Sequence, residues 1–135
     1  MQTSTGHFPP ALSHGFDGFI DFLRDQDSGA STLSPKRFGD VLSIDVQTLA
    51  TQAHVHRNTI SRAPASESVQ KFLRDALRVI RAAHDLSCDV GRAIFWYRND
   101  PLPPFGYKTA EQLVSEGRTE DVLRYVVSLE AGAAG

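Results

Sequence analysis

Residues 47–62 read QTLATQAHVHRNTISR, and the spacing within this stretch decides how the chain folds. Two short helices that cross near a right angle need a small residue where their backbones come closest, and Ala50 takes that place. Val55, just after the turn, and Ile60, inside the second helix, anchor the pair from opposite sides, with Leu49 beneath. The turn falls on His54, a position where left-handed backbone usually recruits glycine. Asp45 is placed to cap the first helix, which carries Val46, Leu49, Ala50 and Ala53. The second helix is very short, holds Thr59 and Ile60, and must stop before Pro64.

This arrangement predicts a helix-turn-helix whose second helix exposes His56, Arg57, Asn58, Ser61 and Arg62. These are the candidate DNA-binding residues. Arg and Asn make bidentate contacts with guanine and adenine edges, and a serine hydroxyl holds a phosphate. The same spacing also recurs in helical pairs that bind no nucleic acid. His54 and His56 lack a nearby third ligand, so they read as turn and surface histidines and not as a metal pair.

Helical periodicity continues outward on both sides. Upstream, Ser34-Pro35 is an N-cap followed by proline at the first helical position, and Phe38, Val41 and Leu42 form that helix's inner face. Further back, Phe16, Phe19, Ile20 and Leu23 share one helical face, and Asp17, Asp21 and Asp25 share the other. Two roles remain open for this element: a strap on the main core, or an arm for a dimer or another partner. Residues 1–13, with two prolines and many Ser and Thr, are expected to be disordered. Downstream, residues 66–86 carry the longest stripe, through Val69, Phe72, Leu73, Ala76, Leu77, Ile80 and Ala83. A further helix starts near Asp89 and carries Val90, Ile94, Phe95 and Tyr97. No stretch alternates with period two for long enough to make a sheet, so the expected class is all-α.

Composition narrows the function. The 135 residues suit one compact domain or two very small ones. Lys and Arg total 14 against 16 Asp and Glu, which excludes a uniformly basic nucleic-acid coat protein. The charge is uneven, with a positive excess over residues 33–87 and acidic ends. The single cysteine, Cys88, excludes an internal disulfide framework and a multi-cysteine zinc site. With only His84 near it in sequence, it reads as a small buried or half-buried thiol. Paired carboxylates, a nucleophile with its base and a glycine-rich phosphate loop all fail to appear, so no enzyme and no cofactor is expected. No apolar run approaches a membrane span, and the N-terminus lacks a signal-peptide pattern. The expectation is a soluble, cytoplasmic protein.

The C-terminal segment is the most distinctive. A helix should end near Asn99, because Asp100 precedes a proline. Pro101, Pro103 and Pro104 then fix an extended loop with Leu102 and Phe105 free to plug apolar pockets, and Gly106 allows a turn. Thr109 and Gln112 have the spacing of a capping box, Leu113 and Val114 form an inner face, and Gly117 closes that helix. Thr119 is read as the cap of the last helix. There Val122, Leu123, Tyr125, Val126 and Leu129 cover more than one side, as contact with both a core and a partner requires.

The run Trp96…Asn99-Asp100-Pro101-Leu102-Pro103…Phe105-Gly106…Lys108-Thr109-Ala110…Leu113, followed by a short hairpin, resembles the toxin-binding domain of the Xre/MbcA/ParS antitoxin family. The resemblance covers residues 35–130, with the helix-turn-helix region first, as in that family. Two departures are Tyr107, where a small residue is frequent, and His54 in place of the turn glycine.

The resemblance implies a non-enzymatic antitoxin of a type II toxin–antitoxin module. Its partner would be a RES-domain toxin that degrades NAD⁺ or transfers ADP-ribose from it. The C-terminal end would sit at the toxin's active site and exclude the dinucleotide. The implied toxin-binding residues are Leu102, Phe105, Tyr125, Ser128, Leu129, Glu130 and Gly135. Glu130 and the terminal carboxylate could pair with cationic groups that otherwise hold phosphates; the same Gly/Ala-rich tail also fits a merely frayed end. Operator DNA and a homodimer within a toxin–antitoxin hetero-oligomer are further expected partners, with no membrane. Three segments follow: an N-terminal arm (1–32), the helix-turn-helix region with its long linking helix (33–87) and a toxin-binding domain (88–135). The alternative is a stand-alone transcriptional regulator of the same architecture.

Overall fold

The computed structural model describes residues 15–24 and 31–134; the expected disorder of 1–13 and the placement of Gly135 lie outside that range. Within it the regular structure is helical, with only isolated bridges between Arg24 and Leu33 and between Leu102 and Lys108. The helices are α1 (Gly15–Leu23), α2 (Pro35–Leu42), α3 (Val46–Ala53), α4 (Arg57–Arg62), α5 (Glu67–Ser87), α6 (Val90–Asn99), α7 (Ala110–Ser115) and α8 (Thr119–Ala134). None of them is long and apolar enough to cross a membrane.

Local sequence sets the boundaries. Ser34 Oγ accepts from Arg37 N, Asp45 from Thr48 N and Asp89 from Arg92 N, so α2, α3 and α6 each begin on a side-chain cap. Thr109 and Gln112 close a reciprocal capping box on α7. At the far end of α7, Gly117 N donates to Val114 O and Arg118 N to Leu113 O, a Schellman closure that needs Gly117 at φ +82°. Gly39 is needed for a different reason: a Cβ there would lie 2.7 Å from the Ile44 carbonyl oxygen.

Helix α5 is the spine. Its stripe of Val69, Phe72, Leu73, Ala76, Leu77, Ile80 and Ala83 is buried, and one hydrophobic cluster runs from α1 through to α8 without a break at residue 87. Of the two roles open to α1, the strap fits. Phe16, Phe19 and Leu23 are buried, Arg81 stacks on Phe16 and Arg37 stacks on Phe22. Gln70 locks the following segment, donating to Leu33 O and Pro64 O and accepting from Leu33 N.

Three sequence expectations need correction. The Pro101–Pro104 segment is not extended throughout: Pro103–Phe105 form a 3-10 turn, for which proline's fixed φ is already suitable. Cys88 is exposed, because it ends α5 at φ +57° and the left-handed backbone turns its side chain away from the core. Thr119 is the first residue of α8 and not its cap; Val122 N donates to Arg118 O, and the Thr119 hydroxyl is buried with no partner among the described residues. Up to Ala134 the Gly/Ala tail belongs to α8, where alanines favour helix and one glycine costs only about 1 kcal/mol.

Candidate functional site

The candidate DNA-binding residues lie on α4 and at its cap, His56. Leu49, Ala50 and Ile60 are buried and Val55 is half-buried, so the pair is joined as its spacing predicts. His54 takes φ +59°, the left-handed turn conformation anticipated for its position. His56, Arg57, Asn58, Ser61 and Arg62 are all exposed. Asn58 and Arg62 stand four residues apart on the side away from Ile60, while Arg57, three residues before Ile60, and Ser61, next after it, flank that buried side chain. His56 also has a structural task, because its Nδ1 accepts from Asn58 N at 3.1 Å and caps α4. Among the described residues neither Arg57 nor Arg62 has a carboxylate partner, whereas Lys36, Lys71, Arg74, Arg78 and Arg98 each do.

The pair is fastened to the C-terminal hairpin. His54 Nε2 donates to Ser115 O at 2.7 Å, and Ser115 Oγ donates to Gln52 O at 2.8 Å. The hairpin is further braced by Lys108, whose Nζ reaches Glu116 at 2.8 Å.

The residues expected to meet a partner divide into two groups. Leu102 is corrected outright. It is only 1% exposed, its N donates to Lys108 O and its carbonyl accepts from Phe105 N and Tyr107 N, so it is core of this chain and offers nothing to another. Phe105 and Tyr125 are half-buried against each other, edge to face at 5.8 Å, with Arg118 over the Phe105 ring at 5.1 Å; the loop therefore holds α8 in place. Ser128, Leu129 and Glu130 are exposed.

The geometry of α8 explains that exposure. Its last buried residue is Val126, and every residue from Val127 to Gly132 is exposed, so the final turns project beyond the core. Val127 is 62% exposed. Asp121, at the root of this helix, is held below the usual carboxylate range by hydrogen bonds from Arg118 and by the charges of Arg118 and Arg124.

Sequence reading missed a groove of about 300 Å³ beside the projecting helix. Its walls include Leu86 of α5, Arg92 and Trp96 of α6, and Val126 and Leu129 of α8. Phe95, next in sequence to Trp96, is 66% exposed. The signal was present: apolar residues at 90, 93, 94, 95, 96 and 97 circle α6 too widely for one buried face. A larger cleft, of about 800 Å³ between α1 and α5, is rimmed by cations, but Lys71, Arg74 and Arg78 there are already paired with Asp75, Glu67 and Glu120.

No family model, curated protein or solved structure matches the chain.

Proposed function

We propose that this protein is an antitoxin that neutralises a RES-domain toxin by docking α8 over the toxin's active site, and that its α3–α4 pair is a helix-turn-helix that binds operator DNA. The projection of α8 past Val126 carries the first half of this reading. An isolated amphipathic helix leaves exposed apolar residues such as Val127 and Leu129 only at a cost in solubility, and a partner's cleft removes that cost. Glu130 then brings negative charge to a site built for dinucleotide phosphates. Because the end is helical, the plug is a helix tip braced at its root by Phe105 and Tyr125. It is not a threaded strand. Ordering entropy is therefore largely settled before docking.

The unpaired Arg57 and Arg62 support the second half. A net charge of −2 disfavours many phosphate contacts by one copy, and a homodimer doubles them on a two-fold operator. The protein itself performs no reaction in this reading, needs no cofactor and acts in the cytoplasm.

Truncation before Ser128 decides the first half. The shortened chain should keep its helical circular dichroism, because Val127 to Gly132 are all exposed, yet fail to protect cells from a co-expressed RES toxin. Full protection by the truncated chain rejects the plug. For the second half, Arg57→Ala with Asn58→Ala should abolish an operator gel shift while toxin co-purification persists. The stand-alone regulator remains the competing reading, and it gains if operator binding survives but no RES toxin co-purifies.

A further inference from the structure

The outer face of α6 carries Arg92, Phe95, Trp96 and Asn99, spaced at three and four residues, with Asp100 at its end. Phe95, Arg92, Asn99 and Asp100 are exposed and Trp96 is half-buried, although two large aromatic rings stand side by side here. Leu86 and Leu129, at 40% and 39% exposure, extend the apolar surface around the groove behind Trp96. Apolar patches of this kind on an otherwise charged helical surface mark places where another protein sits.

The charge pattern selects the occupant. Arg92 at the start of α6 and Asp100 at its end have no ionic partner among the described residues. A helix with a free cation at one end, a free anion at the other and aromatics between them is complementary to its own antiparallel copy. We infer that this face of α6 binds a second copy of the same chain, through an antiparallel contact whose two-fold axis passes between Phe95 and Trp96. In that register the two Phe95 rings meet on one flank and the two Trp96 indoles on the other. Arg92 of each copy faces Asn99 and Asp100 of its mate. The contact is isologous, so each favourable pair occurs twice. It requires neither toxin nor DNA, and it goes beyond the proposed function by assigning the face on which the chain pairs.

The full-length chain alone tests this. Sedimentation velocity over a micromolar concentration series should show a monomer–dimer equilibrium. The emission of Trp96, the only tryptophan, should shift to the blue over the same range as the indoles leave water. Phe95→Glu should leave the helical spectrum intact, since the ring is exposed, and remove the dimer. Arg92→Glu and Asp100→Arg should each weaken self-association by roughly tenfold or more, and the double variant Arg92→Glu/Asp100→Arg should restore it. A chain that stays monomeric throughout overturns the inference. So does a dimer indifferent to Phe95→Glu, and so does a double charge reversal that restores nothing, which rejects the antiparallel register. None of these outcomes touches toxin neutralisation, which truncation of α8 reports separately.

Discussion

The guanidinium of Arg98 donates from Nε to Glu111 Oε2 at 2.8 Å, while its Nη1 donates to the carbonyl oxygen of Leu42 at 2.7 Å. One side chain on α6 therefore ties the end of α2 to the start of α7, joining the α2–α4 segment to the hairpin. Glu111 keeps only 11% of its side-chain surface and Arg98 29%. Arg98→Met should destabilise by about 2–3 kcal/mol, somewhat less than truncating a fully buried pair because water reaches the guanidinium. Most of that loss comes from leaving the Glu111 carboxylate unpaired, so Arg98→Met with Glu111→Leu should recover the larger part of it. Urea unfolding of the two single variants and the double variant measures the coupling; losses that simply add would mean the pair contributes nothing as a pair.

Tyr97 is fully buried, and its hydroxyl has no hydrogen-bond partner among the described residues. Burial, reinforced by the Glu111 carboxylate, pushes its ionisation far above the ordinary tyrosine value, so the phenol stays neutral. A buried, unpaired polar group costs about 1–3 kcal/mol. Tyr97→Phe should accordingly raise the thermal midpoint and stabilise by roughly 1 kcal/mol. A loss of stability instead would mean that the hydroxyl is bonded in solution.

Much of this architecture was legible in the chain. The caps at Ser34, Asp45 and Asp89 and the capping box of Thr109 and Gln112 are local hydrogen-bonding chemistry, so short sequence windows contain the cause. The stripe of α5 was equally readable, because a long helix buried on one side repeats its signal many times. What escaped was decided by distant neighbours. Leu102 looked free because the proline loop looked open, but the 3-10 turn at Pro103–Phe105 folds it inward, and no local pattern announces that. Among the apolar residues of α6, only the positions of α5 and α8 decide that Phe95 stays outside. The candidate DNA face was legible as a set because a six-residue helix leaves few choices once Ile60 is buried.

Ser43, His54, Cys88 and Tyr107 adopt positive φ without being glycine, and each holds a backbone conformation that costs an L-residue about 1–2 kcal/mol. Cys88 is exposed, and its backbone N–H donates to His84 O, a bond that glycine keeps. Cys88→Gly should stabilise the fold by about 1 kcal/mol after the added entropy of the unfolded chain. His54→Gly relieves the same strain but deletes the bond to Ser115 O, so it should gain little or nothing. A gain at 54 equal to that at 88 would show that the His54–Ser115 contact contributes nothing to stability.

The two carboxylates whose native hydrogen bonds favour the charged form should contribute to acid sensitivity. Asp45 is lowered chiefly by the Thr48 backbone N–H, with the Thr48 hydroxyl adding to it, and Asp121 chiefly by the Arg118 hydrogen bond. A folded pKa below the unfolded one means that the unfolded chain takes up protons first as the pH falls. Stability from these groups is therefore complete above the ordinary carboxylate value, near 4, and is lost as pH drops through their lowered native values. Thermal midpoints measured from neutral pH down to about pH 2 should fall most steeply below pH 4. Asp45→Asn keeps a competent cap but removes the titration, so it should flatten that acid limb while changing the neutral midpoint little. Asp121→Asn should flatten it too, and because it also frees Arg118 from its carboxylate, it should loosen the stack on Phe105 that braces the root of α8. An acid limb unchanged in both variants would place the proton uptake on other carboxylates.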